Sequence, residues 1–178
     1  ISLVTRSMLA RNLAESLLKI AIFMGYLALC SKMKDIRRVF QYHGAEHKTI
    51  FCYEAGLPLT VENVRKQSRH HPRCGTSFLF FVMFVGVIVC FFITTESPIL
   101  RVVLRLALLP VIAGISYEII RLAGSSENWF VNLLSKPGLW MQGLTTKEPE
   151  DDMIEVAIRA VEEVFDWRAY LEENFGEQ

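Results

Sequence analysis

The stretch His43-Gly44-Ala45-Glu46-His47 places two imidazoles four residues apart with a carboxylate between them. On a helix, positions i and i+4 share one face. Two neutral imidazoles so arranged can hold a single Zn²⁺, with Glu46 beside them as a candidate general base. Zinc in a catalytic site takes a third protein ligand and keeps a position for water. Three residues are candidates: His71 and Cys74, in the turn that enters the next hydrophobic segment, and Glu118 farther along. His71 and Glu118 rank equally, and Cys74 ranks third. Glu54 lies on the face of His47, but seven helical residues rise about 10 Å, so it reads as an outer partner or a helix cap. Arg73 and Lys48 are the cations available to a developing oxyanion. Plainer readings stand beside these. Glu118 lies three residues before Arg121 and can pair with it on one helix face. Arg73 can serve as a cytoplasmic anchor, His70 as a solvated residue, and Tyr42 and Tyr117 as interfacial aromatics.

These residues lie between hydrophobic segments that set their position. Residues 78–95 are almost unbroken apolar and carry no charge, which predicts a transmembrane helix. Residues 16–32 predict a second, with Lys19 near one end and able to reach the headgroups. Residues 99–120 predict a third, interrupted by Arg101, Arg105 and Glu118 and bent at Pro110 and Gly114. The link at 94–98 is short, so the last two spans form a hairpin. Lys32, Lys34, Arg37, Arg38, Lys48, Arg65, Lys66, Arg69 and Arg73 fall within 31–77, whereas the 94–98 link holds no Lys or Arg. This bias predicts that the motif loop, and the segment after the third span, face the cytoplasm. Within the loop, residues 35–55 predict a helix with Ile36, Val39, Phe40, Ile50 and Phe51 on one broad face. Gly56 and Pro58 stop it, and Thr60 caps a short helix over 61–69. Pro149 and the acidic run 150–152 open an amphipathic helix carrying Ile154, Ile158, Val161, Phe165 and Leu171.

The 178 residues suffice for one domain with a sizeable core. They are 52% hydrophobic, with a mean hydropathy of +0.30, high for a soluble domain. The formal net charge of zero conceals a division. Residues 147–178 hold 3 basic and 11 acidic side chains, and the rest hold 16 basic and 8 acidic. An acidic tail of −8 on a body of +8 predicts docking of one on the other, separate partners, or a solvated helix face. No nucleic-acid partner is expected. Cys30 and Cys90 fall in apolar segments as small hydrophobes, and Cys52 and Cys74 are expected as reduced thiols on the cytosolic side. The first residue is Ile1, as expected of a piece of a longer protein, and no cleavable signal peptide is read.

The strings Tyr42 to Ile50, Leu59 to Val64, His71 to Phe78, Ala113 to Glu118, Pro137 to Gln142 and Thr145 to Pro149 resemble the YqhQ-like family. The resemblance covers roughly residues 33–160, most of the chain. It implies a bacterial inner-membrane or plastid membrane protein, from a group described as predicted metal-dependent enzymes of unknown function. Full members carry a further Gly-rich polar region toward the N-terminus. The five-residue H-x-x-E-H pattern is also the inverzincin signature, and those hydrolases take a Glu well downstream, a place Glu118 would fit.

The expectation is therefore an all-α polytopic membrane protein, a single membrane domain over 1–178 with about three spans plus cytoplasmic helices. The expected function is a zinc hydrolase at the cytoplasmic membrane face, acting on a membrane-associated substrate and in contact with lipid. Another divalent metal and a homo-oligomer are left open. A rival reading is a non-catalytic assembly factor or transporter subunit, in which the His, Glu and Arg side chains form a buried polar network. Ion transport ranks last.

Overall fold

A computed structural model describes residues 8–125 and 128–176. All regular elements among them are helices: α1 (Met8–Cys30), α2 (Lys34–Glu54), α3 (Val61–Arg65), α4 (Gly75–Phe91), α5 (Pro98–Ala107), α6 (Leu109–Ser125), α7 (Trp129–Thr145), α8 (Asp151–Glu162) and α9 (Trp167–Phe175). They divide into two compact units, Ile1–Ala28 with Pro72–Met141, and Leu29–His71 with Gln142–Gln178. The all-α class expected from the sequence is the one observed.

The second of these units carries the motif. Its core joins Ala45 and Cys52 of α2 to Leu59, Val64 of α3, Met153, Ile154 and Ile158 of α8, and Trp167 of α9. The face of α2 that packs is therefore not the apolar face read from the sequence. Val39 is exposed, and small residues at 45 and 52 let α8 approach closely. The end of α2 follows local chemistry. Gly56 has φ +73, a left-handed conformation that suits glycine, and the amides of Gly56 and Leu57 return to the carbonyls of Tyr53 and Cys52 at 3.0 and 3.1 Å. Thr60 then caps α3, its hydroxyl accepting from the amide of Asn63 at 3.3 Å. The acidic C-terminal helix is two helices. It breaks after Glu162, and Asp166 caps α9 by accepting from the amides of Arg168 and Ala169. The apolar positions 154, 158, 161, 165 and 171 nevertheless all reach the core or its margin.

The acidic tail docks on the basic loop within this unit. Arg65 donates from Nε and Nη2, one edge of its guanidinium, to the two carboxylate oxygens of Asp151, and Glu148 lies 2.9 Å from Lys48 Nζ and 3.4 Å from Arg69 Nε.

In the other unit, α4 packs mainly on α6, around Phe81, Val85, Ile112 and Ile120. Here the span boundaries differ from the sequence reading. Among the described residues one helix, over Ala10–Cys30, is long and apolar enough to cross a membrane. α4 has 17 residues, about 25 Å at 1.5 Å per residue, short of the roughly 30 Å of a bilayer core. The third expected span is two helices, α5 and α6, bent by 40°. The break at Leu108 precedes Pro110, which lacks an amide hydrogen and clashes with the carbonyl four residues before it. Counting that pair as one gives up to two crossing helices, rather than three. The helix over Trp129–Thr145 has no counterpart in the sequence reading, because Pro137 and Gly138 interrupt its pattern.

Cys52 is a core residue rather than a loop thiol, and burial pushes it up to about 11 from 9.0. The folded state keeps the proton that the unfolded chain releases above pH 9.0, so this stabilisation is complete below pH 9.0 and is lost as pH rises through about 11. The stability gap between wild type and Cys52→Ala should accordingly narrow across that window in denaturant titrations. At neutral pH, Cys52 should resist iodoacetamide until denaturant is added.

Candidate metal centre

α2 carries His43 and His47 on successive turns. Their ring centroids are 4.3 Å apart, and each offers a nitrogen within 4.8 Å of the other's. The ring planes are 66° apart, but the two rings are hydrogen-bonded in the same way. His43 Nδ1 lies 3.0 Å from the carbonyl of Thr145, and His47 Nδ1 lies 2.7 Å from the carbonyl of Arg69. A carbonyl only accepts, so Nδ1 is the protonated nitrogen in both, and in the neutral ring the lone pair falls on Nε2. This is how proteins orient metal-binding histidines, with a backbone or carboxylate acceptor on the far nitrogen. The donor set thus fits a zinc-type ion as far as these two ligands go.

The carbonyl on His43 is delivered by a close backbone crossing. The amide of Lys147 donates to the carbonyl of Phe40 at 2.8 Å, laying residues 145–148 across α2. A Cβ built on Gly44 would fall 2.1 Å from the carbonyl oxygen of Lys147. The glycine inside the motif is there to let this segment pass. Arg69 Nη1 donates to the carbonyl of Thr146 at 2.7 Å and fastens the other side.

His71 joins the same unit. Its ring centroid is 5.8 Å from that of His47 and 4.7 Å from that of Phe51, and its Nε2 lies 3.3 Å from a carboxylate oxygen of Glu54. Glu54 is thus a partner of a candidate ligand, as the sequence suggested. Gln142 holds the His71 backbone from both ends: its Oε1 accepts from the amide at 2.8 Å, and its Nε2 donates to the carbonyl at 2.7 Å. Gln142 is wholly buried. Sequence reasoning did not assign it a role, although it stands as a lone amide at the end of the apolar string Pro137 to Met141. His70 is half-buried rather than solvated. Burial, then the Arg69 cation, hold its imidazole below the ordinary value.

Lys48, read from the sequence as a cation for an oxyanion, is engaged by other groups. It is buried, and its Nζ donates to the carbonyls of Arg65 at 3.0 Å and Gln67 at 2.9 Å while pairing with Glu148. An ammonium has three donors, and all three are committed, so Lys48 is a brace holding the turn that carries Arg69. Glu46 is the reverse case. It is exposed and makes no hydrogen bond or ion pair among the described residues. It borders an apolar groove of about 470 Å³ with Tyr42, Ile50, Tyr53, Val161 and Phe165.

The remaining candidates belong to the other unit. Cys74 is buried and caps α4, its Sγ accepting from the amide of Thr76 at 3.4 Å. Arg73 is exposed, and its stem crosses Gly124, where an added Cβ would fall 2.3 Å from its Cγ and Cδ. Glu118 lies on α6 and pairs with Arg121 at 2.7 Å, the plainer of its two sequence readings.

The crossing at Gly44 gives a direct test. Gly44→Ala should cost about 2 kcal/mol or more from overpacking. Gly143→Ala meets nothing within 4 Å and should be neutral or stabilise by up to about 0.5 kcal/mol. Thermal unfolding by circular dichroism in mild detergent measures both, and equal midpoints for the two variants would refute the crossing.

Comparison with known proteins agrees with the strings quoted above. The family model DUF1385, described as a protein of unknown function, matches residues 1–167. The chain is 47% identical over 175 residues to the uncharacterized protein YqhQ of Bacillus subtilis (strain 168). That alignment covers 96% of this chain and 55% of the relative, so the chain spans little more than half of the relative's length. No solved structure matches it. The chain belongs to the DUF1385, YqhQ-like family.

Proposed function

We propose that this chain is part of a zinc-dependent membrane enzyme, a hydrolase working at the cytoplasmic face. The observation that carries the reading is the shared hydrogen bonding of His43 and His47, each giving Nδ1–H to a backbone carbonyl and so leaving the lone pair on Nε2. His43 and His47 would hold the ion with His71 of the same unit as third donor. When bound, the metal supplies Lewis-acid polarisation and acidifies water. Glu46, with no partner of its own, takes the proton of the attacking water at its carboxylate. The groove it borders receives the apolar part of the substrate. His71, held by Gln142 and turned to Glu54, is kept in place by those contacts. Membrane placement is supported by the Ala10–Cys30 helix, and a cytoplasmic side for the motif by the Lys and Arg residues after it.

A second reading has its own support. Lys48, Arg69, Gln142 and Glu148 form a satisfied network, as expected of a non-catalytic scaffold such as an assembly factor or transporter subunit. Metal content separates the two. Plasma mass spectrometry on detergent-purified protein should find about one zinc per chain, lost in the His43→Ala, His47→Ala double variant. Glu46→Gln should keep the metal and lose hydrolytic turnover. His71→Ala should release the metal. No metal in any sample after reconstitution with zinc, manganese and iron would leave the scaffold reading in its place.

A further inference from the structure

The turn between α1 and α2 carries cations that the proposed chemistry does not use. The amides of Lys32 and Met33 donate to the carbonyls of Leu29 and Cys30 at 3.1 and 3.0 Å, so the turn is folded onto the last residues of α1. Lys32 and Arg37 are exposed, and their side chains make no hydrogen bond or ion pair among the described residues. Together with Ser31 and Lys147 they border one pocket of about 430 Å³, within the range of ligand-sized clefts. All four residues belong to the unit Leu29–His71 with Gln142–Gln178. Among the described residues the wall of this pocket holds three cations and a hydroxyl, with no acid. Asp35, the one acid on the adjoining turn of α2, is not part of that wall.

Lys147 reaches this pocket from the segment that crosses α2. Its Nζ donates to the carbonyl of Gly143 at 3.1 Å, which fixes the ammonium and leaves two of its three N–H groups for a ligand. Three cations around one cleft repel one another, and an anion placed between them removes that repulsion. The depth of the pocket follows from the chain. A span over Ala10–Cys30 ends two residues before Lys32, a reach of at most about 7 Å. The headgroup layer beyond the hydrocarbon core is roughly 5–8 Å thick. Lys32 therefore stands at the level of the headgroups, with its ammonium in water. Two further cations lie close by and supply a control. Lys34 and Arg38 are exposed on the first turns of α2 but do not border the pocket, and the Arg38 guanidinium lies 5.9 Å from the centre of the Tyr42 ring instead.

We propose that the pocket bordered by Lys32, Arg37 and Lys147 binds the headgroup of an anionic phospholipid. The phosphate accepts from Lys32 Nζ, the Arg37 guanidinium and Lys147 Nζ, and the acyl chains stay in the bilayer. Charge complementarity selects the anion, because the pocket is cationic and holds no competing carboxylate. The polar wall selects a headgroup rather than an acyl chain. The place of the pocket, directly after a membrane span, selects a lipid rather than a free anion. The proposal rests on the membrane placement of α1 proposed above and is independent of the metal reading.

Native mass spectrometry of the intact chain in mild detergent tests it, after incubation with dioleoyl phosphatidylglycerol or dioleoyl phosphatidylcholine. Phosphatidylglycerol should be retained and phosphatidylcholine lost. The double variant Lys32→Gln, Arg37→Gln should lower phosphatidylglycerol occupancy about tenfold or more. Lys34→Gln, Arg38→Gln removes the same charge outside the pocket and should change occupancy by about twofold or less. Excess inorganic phosphate should leave the lipid bound. Equal retention of the two lipids, displacement by phosphate, or an equal loss in the two double variants, as diffuse attraction would give, overturns the proposal. The lipid and phosphate comparisons use the unaltered chain, so they decide even where a variant fails to fold. Carbonate extraction of membranes, which leaves spanning proteins behind, checks the membrane placement separately: a chain released by carbonate overturns both, whereas a retained chain without lipid selectivity overturns this proposal alone.

Discussion

The motif-bearing unit depends on one steric allowance: the absence of a side chain at Gly44. Residues 145–148 cross α2 so closely that a single methyl group would collide with the Lys147 carbonyl. The crossing puts the Thr145 carbonyl on His43, the Thr146 carbonyl on Arg69 and the Glu148 carboxylate beside Lys48. Arg69 in turn offers its own carbonyl to His47. Both imidazoles are therefore oriented by backbone groups from distant parts of the sequence, 102 residues away for His43 and 22 for His47. Backbone acceptors on packed segments set a tautomer more rigidly than a mobile side chain does, because their positions are over-determined by the surrounding hydrogen bonds.

The opposed charges of tail and body take their meaning from the same crossing. Surface ion pairs contribute little singly, and the Arg65–Asp151 pair is well exposed. Lys48 differs because its ammonium is buried, and each of its protons meets an acceptor. Its charge is thus used to tie the end of α3 to the segment after α7. That use accounts for the burial of a cation next to the second histidine. Glu46, one residue before that histidine, faces an apolar groove instead and keeps its carboxylate unengaged.

In the other unit, the apolar segments are as hydrophobic as the sequence suggests, yet their boundaries are set by local breakers and caps. Cys74 caps α4 at one end and the helix stops at Phe91, so the uncharged run of residues 78–95 does not map onto one helix of that extent. Pro110 divides the third segment. Extension of α1 toward Met8 moves Lys19 inward and brings Arg11 and Glu15 into the same apolar helix. A window average of hydropathy does not register any of these effects, because it weighs composition and ignores where hydrogen-bond ladders begin and end.

The sequence by itself determined what local chemistry determines. The helix read over 35–55 and observed at Lys34–Glu54, the glycine stop at 56, the Thr60 cap and the apolar repeat from Ile154 all follow from interactions within a few residues, and all are present. The family was legible as well, because long strings are specific. Tertiary structure alone decided which groups surround the histidines. Gln142 clamping His71, the carbonyls on both imidazoles and the commitment of Lys48 each join residues 17 or more positions apart. So did the division of the candidate ligands, with His43, His47 and His71 in one unit and Cys74 and Glu118 in the other. The physical reason is that spacing along a helix sets which face a side chain takes, whereas its hydrogen-bond partners are set by whichever segment packs there, and that choice is made by the core.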